Sequence, residues 1–222
     1  MADLREIVLD TETTGLRVKD GHRIIEIGCV ELINKTRTGN TFHTYLNPQK
    51  KIDPMAYVVH GISDEFIIDK PLFSKIAEQF INFIGNSNLI IHNAAFDMQF
   101  INQELTLAGR YTLPMYRAID TLLIARKKFP GAQASLDALC RRFSISLHAR
   151  EKHGALIDAE LLASVYIEMS SGNQGQIKLD ATSDTMASFA NDYPYRVFDV
   201  SIDEMQRHEK IMKLIEKHAT CK

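Results

Sequence analysis

The segment REIVLDTETTG, residues 5–15, sets the interpretation of the whole chain. Its consecutive apolar residues, IVL, predict a buried β-strand over residues 4–10. Asp10 and Glu12 follow at the end of that strand, and residues two apart in a strand project to the same side. The end of a buried strand therefore carries two carboxylates on one face.

Two ionised carboxylates held close together repel each other, so this pair needs a physical explanation. A cation between Asp10 and Glu12 would remove the repulsion, and carboxylate oxygens are hard ligands that suit Mg²⁺ or Mn²⁺. An ordinary strand end with two exposed acids is the alternative interpretation. The pair alone fits both, and the remaining acids of the chain decide between them.

The composition is that of an ordinary globular protein, with 45% hydrophobic and 24% charged residues among 222. The formal net charge of −2 argues against binding nucleic acid through a broad basic surface. Cys29, Cys140 and Cys221 are widely spaced, which predicts reduced thiols in a cytoplasmic protein and neither a disulfide framework nor a zinc site. No apolar run approaches the roughly 18 residues of a membrane span, so we expect no membrane partner.

The order of predicted elements indicates an α/β fold with a mixed five-stranded sheet and helices on both faces. Three strands come first, and helices then alternate with two further short strands. We expect strands at residues 4–10, 23–33, 39–46, 88–93 and near 117–119, and the main helices at 73–85, 95–109, 135–143 and 154–170.

Two further acids lie on predicted apolar helix faces. Asp97 shares a stripe with Phe100 and Ile101, and Asp158 shares one with leucine and valine side chains. An acid on an apolar face is costly unless it is paired or bound to a metal, although an acid near a helix N-terminus is also favoured by the helix dipole. No matching set of Lys or Arg falls on these stripes. Four acids with the same anomaly favour a metal cluster.

His153 lies in the segment AREKHG, five residues before Asp158. Five residues correspond to about 140° around a helix, so the two side chains would not share a face if both were helical. We therefore expect His153 in a loop, where Gly154 permits movement. A lone loop histidine is usually just solvated, but beside a metal cluster it becomes a candidate general base.

Three motifs occur in a fixed order: DTETTG, HNAAFD and HGALIDA. With IIEIG and VVHGI, they resemble the family of 3′–5′ exonucleases that use four acids and a histidine. Further segments, such as FHTYLNP, DEFIIDKPLF, ARKKFPG and SLDALCRRF, resemble the epsilon (proofreading) subunits of bacterial DNA polymerase III within that family. The resemblance covers about residues 4–170.

The resemblance implies a ribonuclease-H-like fold and two divalent cations, Mg²⁺ or Mn²⁺. It implies that Asp10, Glu12 and Asp158 bind one cation directly. Asp10 would bridge to a second cation, which Asp97 would hold directly or through water. His153 would deprotonate the attacking water.

The resemblance also implies contacts with the terminal nucleotide of a DNA 3′ end. The substrate-binding residues would be Leu16, Met55, Val59, His60 and Phe96, together with the acids Asp10, Glu12 and Asp158. Stacking of apolar side chains on a base is tolerant of sequence, which suits an enzyme that removes any base. His60 follows two valines, which is equally the pattern of a packed histidine.

The composition changes near SSGNQGQ, so we expect an exonuclease domain over residues 1–171 and a partner-binding tail over 172–222. Residues 201–219 have apolar positions at three- and four-residue steps, which predicts a short amphipathic helix. By resemblance, this tail would bind the catalytic subunit of DNA polymerase III. Residues 174–179, QGQIKL, vaguely resemble a sliding-clamp peptide without its closing aromatic. A helix packed on its own domain is the alternative.

The function implied is a proofreading 3′–5′ exonuclease in the cytoplasm of a bacterium. It would remove mispaired nucleotides from DNA for the replicative polymerase and release nucleoside 5′-monophosphates. A free-standing exoribonuclease of the same superfamily is one alternative, because the acid pattern does not read the 2′-OH. A catalytically silent tether of a polymerase is another, although all five catalytic positions are filled.

Overall fold

The computed structural model describes residues 3–147 and 153–171. This part contains five strands and seven α-helices, in addition to two short 3₁₀ turns. The strands are β1 (Arg5–Thr13), β2 (Ile24–Ile33), β3 (Thr36–Tyr45), β4 (Asn88–Ile91) and β5 (Ala118–Asp120). The helices are α1 (Pro54–His60), α2 (Asp64–Ile67), α3 (Phe73–Ile84), α4 (Ala94–Leu107), α5 (Thr121–Lys128), α6 (Leu136–Arg142) and α7 (Ala155–Ser171).

The five strands form one mixed sheet in the order β3-β2-β1-β4-β5. β1 lies in the centre, antiparallel to β2 and parallel to β4. In the register of β1 with β2, Asp10 lies opposite Gly28, and Glu12 lies opposite Glu26. The predicted α/β class, mixed sheet and strand count are therefore confirmed.

Alternate residues of β1 enter two different hydrophobic cores, one on each face of the sheet. Ile7 and Leu9 pack in the core that includes α3 and α4, whereas Val8 packs in the core that includes α6 and α7. Since Asp10 and Glu12 continue the even-numbered series, they project toward α7. The strand runs through both acids to Thr13, further than the sequence predicts, because β2 pairs with it over this length.

The pattern of apolar residues does not predict α1, α2 or α5. Asp53-Pro54, which indicates a turn in the sequence, is the start of α1: the Asp53 carboxylate accepts a hydrogen bond from Met55 N at 2.8 Å, and the proline occupies the first turn. α1 ends at His60, and the next residue, Gly61, has a φ of 71° in the left-handed region.

The predicted tail, residues 172–222, lies outside the described residues, as do the clamp-like segment and the amphipathic helix within it. In the described part of the chain, no helix combines the length and apolarity needed to cross a membrane.

Candidate functional site

Side chains from three separated parts of the chain meet beside the end of β1. Glu12 comes from the strand, His153 precedes α7, and Asp158 lies in the first turn of α7. One potential ligand atom from each lies within 4.8 Å of the others. Carboxylate oxygens and an imidazole nitrogen at this spacing can hold a divalent cation.

A cleft of about 450 Å³ opens beside this group of side chains. Its lining includes Asp10, His153 and Asp158, and also His92 and Arg126. Asp10 is half-buried, and the carboxyl of Asp158 is almost fully buried, with the residue 4% exposed. Three of the predicted site residues, Asp10, His153 and Asp158, therefore line one shared, open space.

His153 lies in the segment before α7, as the sequence predicts, and it contacts Asp158 directly. The imidazole Nδ1 is 3.0 Å from Asp158 Oδ2. The next residue, Gly154, accepts the first backbone hydrogen bond of the helix from Asp158 N at 2.8 Å. The helical-angle argument misses the contact between His153 and Asp158 because it applies only when both residues are inside a helix.

Asp97 approaches β1 from the other face of the sheet. It is 3% exposed on α4, and its Oδ1 accepts a hydrogen bond of 2.7 Å from the hydroxyl of Thr11. Thr11 points away from Asp10 and Glu12 because successive strand residues alternate. Asp97 is therefore not part of the group whose ligand atoms lie within 4.8 Å.

Burial disfavours the ionised form of Asp97 and raises the pKa of its carboxyl to about 7, while the Thr11 hydroxyl opposes this shift. The stability that the protonated carboxyl contributes is fully present below the unfolded pKa of 3.8 and is lost as the pH rises through about 7. In metal-free buffer, Asp97→Asn should therefore gain stability relative to the wild type as the pH rises, measured as the difference in Tm at several pH values.

Thr11→Val provides the check on this prediction for Asp97. The Thr11 hydroxyl favours the ionised form of Asp97, so its removal should raise the pKa of Asp97 further. The loss of stability that accompanies ionisation of Asp97 should therefore occur at higher pH in Thr11→Val than in the wild type. A Tm difference between Asp97→Asn and the wild type that does not change with pH would contradict the assignment.

Gly28 on β2 permits the first turn of α7 to lie directly on the sheet. A Cβ at this position would be 2.3 Å from the backbone carbon of Ala155 and from the nitrogen of Leu156. Such a distance is far below van der Waals contact, so only glycine allows this approach. The glycine of IIEIG thus sets the position of the helix that carries Asp158.

The residues predicted to contact a nucleotide divide into two groups. Leu16, Met55 and Val59 are exposed apolar side chains, a state that fits contact with a base. Phe96 is half-buried and packs against Phe100, with ring centroids 5.0 Å apart. His60 is buried, and its Nδ1 accepts a hydrogen bond from Ile62 N at 3.0 Å, which fits the packed alternative. Their contacts with a nucleotide stay predictions.

The sequence does not predict His92 and Arg126, in the wall of the cleft, as site residues. Nδ1 of His92 is 2.9 Å from the Thr121 hydroxyl, and burial lowers the pKa of His92. Arg126 stands in the last turn of α5, where the sequence of three basic residues is explained equally well by the helix dipole. No signal in the sequence places Arg126 beside the acids.

A family model described as Exonuclease matches residues 7–166 of this chain. The DNA polymerase III subunit epsilon of Rickettsia felis is 47% identical over 229 residues, a match that spans 99% of this chain and 100% of that protein. The DNA polymerase III subunit epsilon of Escherichia coli is 42% identical over 228 residues, spanning 96% of this chain and 94% of that protein.

Solved exonuclease structures share the fold. Exonuclease X in complex with 5′ overhanging duplex DNA is 25% identical with a TM-score of 0.60, covering 75% of this chain and 92% of that chain. The nuclease domain of 3′hExo, a DEDDh family member bound to rAMP, has a TM-score of 0.66 at 19% identity, covering 76% and 92%. These neighbours confirm the predicted ribonuclease-H-like fold. The chain belongs to the exonuclease family and, within it, to the DNA polymerase III epsilon subunits.

Proposed function

We propose that this chain is a metal-dependent 3′–5′ exonuclease that proofreads DNA as a subunit of the replicative DNA polymerase in the bacterial cytoplasm. It removes mispaired terminal nucleotides and releases nucleoside 5′-monophosphates. The observation that carries the proposal is the meeting of Glu12, His153 and Asp158 within 4.8 Å, in a chain 42% to 47% identical to epsilon subunits.

The donor set fits divalent cations, and we propose two Mg²⁺ or Mn²⁺ ions. Asp10, Glu12 and Asp158 would hold one, because they supply hard oxygen ligands on the face of β1 that is turned toward α7. Asp10 would bridge to the second, which Asp97 would hold directly or through water; Asp97 accepts a hydrogen bond from Thr11, the residue after Asp10. Bound there, the ions would lower the pKa of a water molecule and neutralise charge on the phosphodiester.

His153 is proposed as the general base. Its Nδ1 is directed at Asp158 Oδ2, and its Nε2 would take a proton from the attacking water. The half-exposed imidazole sits at the wall of the cleft, within reach of solvent. Asp158 orients the ring, as a carboxylate does when it accepts from the far nitrogen of a histidine.

Leu16, Val59 and Phe96 would wedge and stack on the base of the terminal nucleotide, and backbone groups would bind it at Met55. His60 would lie beside the same nucleotide, and its burial fits a packed histidine equally well. Apolar contact with a base requires the base to leave the stack, and an unpaired base leaves at lower cost. Mispaired ends would be preferred for that reason.

The test compares full-length protein on DNA and RNA oligonucleotides of the same sequence, with paired and mispaired 3′ ends, in Mn²⁺. We expect faster release of deoxynucleoside 5′-monophosphates than of ribonucleotides, and faster release from mispaired ends. Faster cleavage of RNA would favour the exoribonuclease, since the two classes differ in how the 2′-OH is accommodated. No release from either substrate would favour the silent tether.

We further propose that residues 1–171 form the exonuclease domain and that 172–222 bind the catalytic subunit of DNA polymerase III, with the sliding clamp as a second candidate for 174–179. The match of the Rickettsia felis epsilon subunit to 99% of this chain supports a related tail. Co-purification with the polymerase subunit should be lost when the chain ends at Gly172. Retained association would contradict this role of the tail.

A further inference from the structure

A third carboxylate lies on the same face of the sheet as Asp10 and Glu12. Glu26 of β2 is directly opposite Glu12 and is only 2% exposed. Its Oε1 is 2.7 Å from His43 Nε2, and Tyr45 lies opposite it on β3. Among the residues that the structure describes, nothing hydrogen-bonds its buried Oε2.

This arrangement is unfavourable for folding. Like charges directly opposite on neighbouring strands destabilise the pair, and a buried oxygen without a donor carries the full cost of lost hydration. Glu26 is also separate from the group of potential metal ligands formed by Glu12, His153 and Asp158. Metal binding therefore does not account for the buried carboxylate of Glu26, and its neighbours have to.

Glu26 lies against the segment that carries His153. A Cβ built on Gly154 would be 4.0 Å from both oxygens of the Glu26 carboxylate. Two residues further along the same face of β2, Gly28 is in contact with the backbone of Ala155. The first N–H groups of a helix lack partners within the helix and form its positive end, so a carboxylate at the start of α7 is favourable there.

We propose that Glu26 is a positioning residue, which holds the peptide of His153 and Gly154 and the first turn of α7 in place and thereby sets the orientation of the His153 imidazole. His43 contacts Oε1 of Glu26, and Oε2 has no hydrogen bond among the described residues. Both oxygens border Gly154. The kinetic consequence of this role rests on the proposed exonuclease function.

Glu26→Gln in the full chain tests this role because it keeps the size of the side chain and removes the charge. We expect kcat on a DNA oligonucleotide to fall by about 10- to 100-fold, as for other residues that orient a catalytic group, with KM changed by less than about threefold. The NMR resonances of the His153 ring, identified by their absence in His153→Ala, should shift.

Glu6→Gln is the matched control. Glu6 is also 2% exposed on the face turned toward α7, but it pairs with Lys35 and accepts a hydrogen bond of 2.8 Å from Tyr166 near the other end of that helix. We expect this variant to lose thermal stability while kcat and the resonances of His153 stay unchanged. Equal losses of kcat in both variants would reduce Glu26 to a structural role and overturn the proposal.

A double-mutant cycle then asks whether Glu26 acts through His153. If it does, Glu26→Gln should lower kcat much less in a His153→Ala background than in the wild type, because coupled residues are not additive. Additive losses would overturn the proposal. A wild type without exonuclease activity would refute the proposed function instead, and the shift of the His153 resonances would still test the position of the ring.

Discussion

Replacing Asp10 by asparagine is expected to lower kcat for 3′–5′ hydrolysis by at least about 10³-fold, equivalent to about 4 kcal/mol of transition-state stabilisation. Asp10 is the one acid proposed to contact both cations, and it lies in the wall of the cleft with His153 and Asp158. An amide is a neutral and weaker ligand for a hard cation. Release of deoxynucleoside 5′-monophosphates from a DNA oligonucleotide, under saturating Mn²⁺, is the measurement.

Thermal unfolding separates loss of the metal site from loss of the fold. Without metal, Asp10→Asn should unfold at the same or a higher temperature than the wild type, because the repulsion from Glu12 is removed. Added Mn²⁺ should raise the Tm of the wild type and raise that of the variant much less. Asp69→Asn, at an exposed acid beside Lys70, is the control and should respond to Mn²⁺ as the wild type does. Equal shifts in all three proteins would contradict the metal site.

Most of the fold follows from periodicity in the sequence. The apolar run before Asp10 predicts a buried strand, and β1 is the central strand of the sheet. The alternation of helices and strands also gives the α/β class correctly. What it misses are α1, α2 and α5, which have seven, four and eight residues. Helices this short depend on caps and tertiary contacts more than on an amphipathic pattern. In the sequence Asp53 therefore indicates only a turn, and its role as the N-cap of α1 is visible only in the structure.

The site is predictable as a set of residues but not as a geometry. The free-energy cost of placing an acid on an apolar helix face identifies Asp97 and Asp158, and both are buried in the structure. The sequence does not reveal that Asp97 reaches β1 from the face opposite to that of Asp10, because the face of a helix gives no information on which side of the sheet it packs. The contact between His153 and Asp158 depends on the local path of a loop, which has no periodicity.

The sequence also does not predict the role of Gly28. A glycine inside a strand indicates a bulge or a close approach of another backbone, but not which backbone approaches. In the structure the approaching chain is the first turn of α7, at Ala155 and Leu156. The glycine is thus linked to Asp158, although 130 residues separate them and no motif spacing connects the two.

Gly28→Ala is expected to lower the free energy of unfolding by about 1–3 kcal/mol and to lower exonuclease activity by more than the folded fraction accounts for. The added methyl group would meet backbone atoms of α7 at 2.3 Å, so the helix start must move away from the sheet. That movement carries Asp158 away from Glu12, and misplacing a reacting group by about 1 Å can cost on the order of 10²-fold in rate. Activity should be measured well below the Tm of the variant.

Gly39→Ala is the matched control for Gly28→Ala, since a Cβ at Gly39 would meet no atom within 4 Å. Its φ of 86° makes alanine strained there, so this variant should lose stability as well. The two glycines differ in what the methyl group touches, and only Gly28 is in contact with α7. Loss of stability in both variants, with loss of rate and of the Mn²⁺-induced Tm shift only in Gly28→Ala, is the expected result. Normal kcat in folded Gly28→Ala would mean that the position of α7 tolerates displacement, and the close approach at Gly28 would then serve packing alone.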